Sequence, residues 1–204
     1  MRNAAKRSLA ALALAIATSG PAQQPPQIGA APVVLSSTPY LFDTAEQHTI
    51  KVTVLAKGIA QPFAIEFLPN GDLLISERGG GLRIVRAATT PGARLDPQPI
   101  EGMPRPPAGS AFSVGLQDLA LAPDFPTSHW LYFTYNEPAP RPAGDTAAPP
   151  RYTFGKLTVM RGKLAGGKLS GVETLLQGGP SAALGSRLAF AKDGTLFVTT
   201  GGAF

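Results

Sequence analysis

A strand–turn–strand phrase that occurs three times constrains the fold of this 204-residue chain more than any other feature. Short apolar runs flank the turn pairs Asn70-Gly71, Pro123-Asp124 and Asp193-Gly194. Asn-Gly or Asp-Gly between apolar runs is a strong signal for a β-hairpin. The turns centre on residues 70, 124 and 193, so they are 54 and 69 residues apart. A hairpin unit that recurs at such intervals is typical of a propeller or another array of blades.

The composition agrees with an all-β fold of short strands and many turns. The chain has 23 glycines and 21 prolines, which disfavour long helices, while 44% of its residues are hydrophobic and suffice for a core. Cysteine is absent. Disulfides, thiolate metal sites and cysteine nucleophiles are therefore excluded.

Short strands are predicted from residue 50 onwards, on the basis of alternating apolar residues and of the turn signals between them. The predicted strands are Ile50–Ala56, Phe63–Leu68, Asp72–Glu77, Leu82–Arg86, Leu116–Leu121, Trp130–Asn136, Tyr152–Leu164, Lys168–Gln177, Arg187–Phe190 and Thr195–Thr200. The first four are expected to form one blade-sized antiparallel sheet. About ten strands correspond to two to two and a half four-stranded blades, so the region 48–204 is predicted to be a partial propeller.

The first 22 residues have the pattern of a secretory signal peptide. Arg2, Lys6 and Arg7 precede the apolar run Leu9–Thr18, which is much shorter than the ~20 residues of a membrane span. Export, to a bacterial periplasm, is therefore predicted, with no membrane span. Residues 23–47 form a lead-in rich in Pro, Ala and Gln. Without the signal peptide, 15 basic and 13 acidic residues remain, a balance that argues against a nucleic-acid partner.

Three segments together resemble the soluble quinoprotein glucose/sorbosone dehydrogenases, also called PQQ-dependent aldose sugar dehydrogenases. They are Gly58–Val85, Gly115–Glu137 and Gly185–Gly201, and their order and spacing also match. The more specific parts are L-A-L-A-P-D-F at 119–125 and G-S-R-L at 185–188. The resemblance implies a six-bladed β-propeller that oxidises the C1 hydroxyl of aldoses with PQQ and calcium as cofactors, and it leaves the electron acceptor unknown.

The family's active-site positions are altered in this chain. In the family a histidine two residues before G-S-R-L acts as the general base, and here that position is Ala183. A neighbouring acidic position falls on Ala182, and a glutamine that helps to hold the cofactor is replaced by Ser113. Gln117 is expected to lie along its strand. The resemblance thus implies a retained scaffold without an identifiable catalytic base.

Arg187, within the G-S-R-L phrase, is the residue proposed to lie near the substrate. The resemblance implies that its side chain either orders backbone carbonyls inside the propeller or lies near the sugar site. The structural role is favoured, because a buried arginine usually ties several acceptors together.

Other candidate sites have simpler interpretations. His48 and His129 are expected to be exposed turn residues, because neither has a partner at metal-ligand spacing. The sequence of Gly162–Lys168 matches a phosphate-binding loop, but Leu169 follows where Ser or Thr is required, so a glycine-rich hairpin is predicted. Asn70, Asp124 and Asp193 are predicted to form turns. No metal site is predicted from these residues.

Several functional interpretations stay open at this stage. The first is a sugar dehydrogenase-like protein with Ala183 at the position of the base. The second is a non-catalytic propeller of the same superfamily that serves for binding, or a truncated fragment of it. A calcium-dependent lactonase is a third, but it would need a central cluster of carboxylates and asparagines that the sequence lacks. Open sheet edges would favour self-association.

Overall fold

Twelve strands and one short helix are present in the part of the chain that the computed structural model describes. The structure describes residues 34–105, 114–144, 146, 154–181 and 185–201. The predicted signal peptide, the first part of the lead-in, Ser113, Ala182 and Ala183 lie outside the described residues. No helix among the described residues is long and apolar enough to cross a membrane.

The first four-stranded sheet forms around the predicted Asn70-Gly71 turn. Oδ1 of Asn70 accepts a hydrogen bond from the backbone N–H of Asp72 at 3.1 Å, and Gly71 has a φ of +83°, which favours glycine. Each strand pairs antiparallel with the next in chain order. The strands are β3 (Pro62–Phe67), β4 (Leu73–Glu77), β5 (Gly81–Arg86) and β6 (Arg94–Leu95).

The predicted membership of this sheet was wrong for its first strand. Ile50–Ala56 does not join it, because β2 (Ile50–Val52) pairs instead with β1 (Tyr40–Phe42), a strand within the lead-in. Ala56 and Ile59 pack on the first sheet through side chains alone. The fourth strand is β6, which lies in a stretch predicted to be a loop. It is held there because Asp96 pairs with Arg86 on the neighbouring strand, at 2.8 Å.

The second four-stranded sheet contains the longest strands. Each of its strands pairs with the next along the chain, and the short helix α1 (Phe125–Ser128) connects the first of them, in chain order, to the second. The predicted glycine-rich hairpin is confirmed, because Gly166 and Gly167 have positive φ and strands flank them on both sides. The strands are β7 (Gly115–Leu121), β8 (Trp130–Ala139), β9 (Phe154–Ala165) and β10 (Lys168–Ser181).

The third sheet is the predicted hairpin of β11 (Ser186–Phe190) and β12 (Leu196–Thr200). Oδ1 of Asp193 accepts from the backbone N–H of Thr195 at 2.9 Å, and Gly194 has a φ of +85°. Together, the two four-stranded sheets and this hairpin correspond to two and a half blades of a β-propeller.

Apolar layers between successive sheets form the core. The largest lies between the first and second sheets and includes Leu74, Leu82, Leu116, Leu131 and Phe133, all fully buried. A smaller layer joins the second sheet to the third. Each sheet has two apolar faces, so stacking against the next sheet is what buries them.

Replacing Phe133 by alanine is expected to cost about 3–5 kcal/mol of folding free energy, because the side chain is fully buried at the centre of the first layer. Phe197→Ala is the control. The Phe197 side chain is 59% exposed, so its loss should change stability by no more than about 0.5 kcal/mol. Urea unfolding of the two variants measures the difference. Equal losses of stability would show that the first two sheets do not pack as described.

Candidate functional site

The first strands of the three sheets lie side by side and begin at the same end of the molecule. Here β3 packs against β7, and β7 against β11. The pairs Pro62–Glu77, Gly115–Asn136 and Ser186–Thr200 mark this end in the three sheets. We call it the starting end.

Two arginines lie over one aromatic ring at the starting end. The Cζ atom of Arg78 is 4.7 Å from the centroid of the Phe63 ring, and the Cζ atom of Arg187 is 4.9 Å from it. Both distances are within the range of a cation–π interaction. Gly185 also lies beside the Phe63 ring, since a Cβ on this glycine would be 3.8 Å from Cζ of Phe63. We call Phe63, Arg78 and Arg187 the arginine–phenylalanine cluster.

Arg187 is held through one nitrogen of its guanidinium group, and the rest of its side chain is largely exposed. Its Nη1 lies 3.4 Å from Oδ1 of Asp118 and 3.4 Å from the carbonyl oxygen of Ser186. The second of these contacts joins the guanidinium to the backbone carbonyl of the preceding residue. The expected burial is wrong, however, because the side chain is 62% exposed. It alternates with Ser186 and Leu188, which point into the protein and are buried.

A buried polar network crosses all three sheets beneath this cluster. Oγ of Ser76 donates to the carbonyl oxygen of Gln117 at 2.6 Å, which joins the first sheet to the second. Oγ of Ser186 donates to Oε1 of Gln117 at 2.8 Å and lies 2.6 Å from Oγ1 of Thr134. Oδ2 of Asp118 accepts from the backbone N–H of Leu188 at 2.6 Å. These bonds set the position of β11, and thereby of Arg187, relative to β7.

Gln117 has one unsatisfied group within this network. The prediction that it lies along its strand is confirmed, since it is in β7 and only 1% exposed. Its Nε2 has no hydrogen-bond partner among the described residues. A buried donor without a partner costs about 1–3 kcal/mol, so this atom is a position at which a bound water or ligand group would be stabilised.

The electrostatics of the starting end combine burial with charge. Burial lowers the pKa of the Arg78 guanidinium. Burial, and then the nearby Asp118 carboxylate, raises the pKa of Glu66 on β3. Desolvation disfavours the charged form, so burial is the larger cause of the shift at both residues, although Glu66 lies toward the other end of β3.

Thr134→Val is expected to destabilise the protein by about 1–3 kcal/mol, although it keeps the shape of the side chain. Thr134 is fully buried, and its Oγ1 accepts from the backbone N–H of Asp118 at 3.0 Å. Valine leaves that donor unpaired. Thr134→Ser keeps the hydroxyl and should cost less, despite losing a methyl group. Thermal unfolding compares the two variants, and a serine variant no more stable than the valine variant would contradict a role for the hydroxyl.

The remaining candidates from the sequence do not contribute to this end. His48 and His129 are exposed, as predicted, and His129 follows α1 with a φ of +58°. A cleft of about 360 Å³ does lie beside His129, between the first two sheets. Its lining is mostly apolar, and its arginine, Arg86, is already paired with Asp72 and Asp96. Among the described residues, no group of three or more His, Cys, Asp or Glu could hold a metal ion.

Sequence reasoning identified Arg187 and missed its partners. Phe63 and Arg78 come from the first sheet and Asp118 from the second, so no local motif joins them. One signal was available for the buried network. Ser76 and Thr134 interrupt the apolar strands L-L-I-S and L-Y-F-T, and a polar residue inside such a strand needs a buried partner.

Comparisons with known proteins point to one protein family. The family model for glucose/sorbosone dehydrogenase matches residues 59–204. An uncharacterized protein of Synechocystis sp. is 34% identical over 167 residues, which are 77% of this chain and 36% of the relative. The aldose sugar dehydrogenase YliI of Escherichia coli is 37% identical over 94 residues, covering 46% of this chain and 24% of that protein.

A solved structure supports the same relationship. The chain is similar to a crystal structure of glucose dehydrogenase, with a TM-score of 0.52 and 28% sequence identity. The match covers 70% of this chain and 38% of that one. The chain therefore spans well under half the length of the relatives that it matches.

Proposed function

Because the chain belongs to the glucose/sorbosone dehydrogenase family, we propose that it is part of an exported, PQQ-dependent aldose dehydrogenase-like protein. The reaction would oxidise the C1 hydroxyl of an aldose, with its hydride passing to the quinone. The observation that supports this proposal is the starting end, where three successive first strands begin around a cationic cluster. Export, to the periplasm, rests on the predicted signal peptide at residues 1–22.

The donors at the starting end fit a quinone that carries carboxylates. PQQ is a planar, aromatic tricarboxylate, and guanidinium groups pair with carboxylates through parallel N–H···O bonds. Arg187 is exposed there, and Arg78 lies on the same ring. When bound, the quinone would supply the two-electron acceptor that no side chain provides. Calcium remains an implication of the family, for which the described residues offer no ligand cluster.

Proton removal is the step for which this chain has no evident residue. Ala183 stands where the family has its general base, and neither Ala183 nor Ala182 can accept a proton. Arg187 cannot serve instead, because a guanidinium does not lose its proton in proteins. We therefore infer that binding of cofactor and sugar persists while turnover is slow. A non-catalytic binding propeller is the second candidate, favoured by these same substitutions on a retained scaffold.

The test is dye-linked sugar oxidation by the purified protein supplied with PQQ and Ca²⁺. Glucose and other aldoses serve as substrates, with the aldose sugar dehydrogenase of E. coli assayed beside it. We expect PQQ to bind and the dye to be reduced far more slowly than by the comparison enzyme. Turnover at the same rate would show that another residue acts as the base. Absence of PQQ binding would contradict the proposed cofactor.

A further inference from the structure

The cleft beside His129 reaches down to the core at the end of the sheets opposite the starting end. It has a volume of about 360 Å³, and we call it the His129 cleft. The turn at Asn70 in the first sheet and the turn at Gly166 and Gly167 in the second both line it. Four residues of the buried layer between the two sheets line it as well: Ile84, Ile100, Phe125 and Leu164. Mostly apolar clefts of roughly 300–1,000 Å³ are the usual sites of small-molecule ligands.

One wall of the His129 cleft is fixed by backbone hydrogen bonds to both sheets. The backbone N–H of Ile100 donates to the carbonyl oxygen of Leu82, on the first sheet, at 2.7 Å. The carbonyl oxygen of the next residue, Glu101, accepts from the backbone N–H of Leu169, on the second sheet, at 2.8 Å. A ligand would therefore meet a wall that is already in place, which reduces the conformational entropy lost on binding.

The charged groups beside the cleft are already neutralised by one another. Nη1 of Arg86 pairs with Asp72 at 2.9 Å, and its Nε pairs with Asp96 at 2.8 Å. Arg94 lies 3.4 Å from the same Asp96, so two cations balance two anions. The Asn70 amide is bonded to Asp72 through both its oxygen and its nitrogen. An ion that entered the cleft would lose its hydration without gaining a counter-charge, so an uncharged ligand is favoured.

His129 supplies a hydrogen-bonding group at an exposed position of the cleft. Its backbone is fixed on both sides, because its N–H donates to Phe125 and its carbonyl oxygen accepts from Leu164, each at 2.9 Å. Its ring meets the Phe125 ring edge to face, with the centroids 6.0 Å apart. Within the part of the chain that the structure describes, the imidazole nitrogens have no hydrogen-bond partner. A neutral imidazole both donates and accepts, so it suits a hydroxyl group.

The volume and the lining define the ligand. A cavity of about 150 Å³ takes one benzene ring, so the His129 cleft has room for two fused rings. The rings of Phe125 and His129 favour an aromatic ligand, because aromatic rings attract one another in edge-to-face and offset arrangements. We propose that the His129 cleft binds a small, uncharged, two-ring aromatic molecule, which hydrogen-bonds His129 through a hydroxyl group. This site is separate from the arginine–phenylalanine cluster and does not depend on the proposed function.

The first test measures binding of 2-naphthol to the full chain by equilibrium dialysis at neutral pH. Ala165→Trp is expected to weaken binding about tenfold or more, because Ala165 lines the cleft at an exposed position and tryptophan would occupy its space. Ala189→Trp is the matched control. Ala189 is an exposed strand residue of the third sheet, so its replacement should change binding less than about twofold. Equal effects of the two variants, or a wild type that does not bind 2-naphthol, overturn the proposal.

A second variant tests the hydrogen bond to the hydroxyl group. His129→Gly removes the imidazole, and glycine adopts the φ of +58° at this position without strain. Its loss of affinity for 2-naphthol should be about five- to tenfold larger than its loss for naphthalene, which lacks the hydroxyl. His48→Gly is the control, since the other histidine is exposed and lies outside the cleft. Equal losses for the two probes in His129→Gly overturn the assigned hydrogen bond.

Related probes test the ligand class. 2-Naphthoate keeps the rings and adds a charge, so it should bind at least about tenfold more weakly than 2-naphthol. Decahydro-2-naphthol keeps the hydroxyl and loses the aromatic faces, so it should also bind more weakly. Equal or tighter binding of either compound overturns the proposed class. Unfolding midpoints of all variants are measured in parallel, and a variant that binds weakly but unfolds like the wild type supports the site.

PQQ separates this inference from the proposed function. Saturating PQQ should leave the binding of 2-naphthol unchanged, because the cleft and the starting end lie at opposite ends of the sheets. Competition between the two would place 2-naphthol at the starting end and overturn the proposal. Binding of 2-naphthol by a protein that does not bind PQQ supports the cleft and contradicts only the proposed function.

Discussion

Replacing Ala183 by histidine is expected to raise the rate of aldose-dependent dye reduction about 10²- to 10⁴-fold in the full-length protein, which is the usual contribution of a positioned general base. The expectation comes from the phrase G-S-R-L at 185–188, which the family precedes with that histidine. It also depends on the retained scaffold, because the buried network around Ser186 holds the start of β11, three residues after Ala183 in the chain.

The pH profile identifies the new group. A histidine base must be neutral to accept a proton, and its unperturbed pKa is about 6.5. The gained activity should therefore rise as the pH increases through this region and then level off. Ala183→Asn is the control, since asparagine is polar and flat but cannot act as a base.

A second control tests whether the family's histidine aligns with position 183 or with position 182. Ala182→His places the same group one residue earlier, where it should give a much smaller gain. A larger gain for Ala182→His than for Ala183→His would show that the motif is shifted by one residue. No gain from either variant, with PQQ bound, would show that more than the base has been lost and would favour the binding propeller.

Gly115→Ala is expected to destabilise the protein by about 3 kcal/mol or more, or to prevent folding. A Cβ on Gly115 would lie 1.6 Å from the carbonyl oxygen of Arg78, and the clash is with backbone. The φ of Gly115, +114°, is also one that other residues rarely adopt. Relief would require the start of β7 to move away from the end of β4. That movement would displace Arg78 and so disturb the arginine–phenylalanine cluster.

Gly194→Ala separates the conformational cost from the clash. Gly194 also has a positive φ, of +85°, but a Cβ there would meet no atom within 4 Å. Its replacement should cost only about 1 kcal/mol, the usual cost of a left-handed backbone in a non-glycine residue. Chemical unfolding of both variants measures the difference. Similar losses of stability at the two positions would contradict the close approach of β7 to Arg78.

The strands were predictable because their signals are local. The Asn70-Gly71 and Asp193-Gly194 turns lie where the sequence predicts them. For most strands the predicted and the observed bounds differ by only a few residues. Partner choice was less predictable. The alternation of apolar and polar residues in Ile50–Ala56 is compatible with pairing at any sheet edge. Nothing in these residues indicated that β2 would pair with β1. The strand β6 was not predicted, because two residues are too few to show the apolar–polar alternation of a strand.

The candidate site was predictable only in part. The G-S-R-L phrase drew attention to Arg187 but suggested a buried side chain. Its exposure follows from strand alternation, in which Ser186 and Leu188 take the inward positions. Phe63, Arg78 and Asp118 became partners of Arg187 only when three sheets stacked.

The sequence by itself determined the hairpins and the blade-like repeat, because each depends on residues close together in the chain. That Ala183 stands at the position of the family's base stays a prediction. Only the tertiary structure decided that Ile50–Val52 pairs with β1, that Nε2 of Gln117 has no partner among the described residues, and that Arg78 and Arg187 share one ring. The bond of Ser76 to Gln117 and the contact of Arg187 with Phe63 join residues 41 and 124 positions apart, for which a local pattern carries no information. Self-association through open sheet edges stays a prediction.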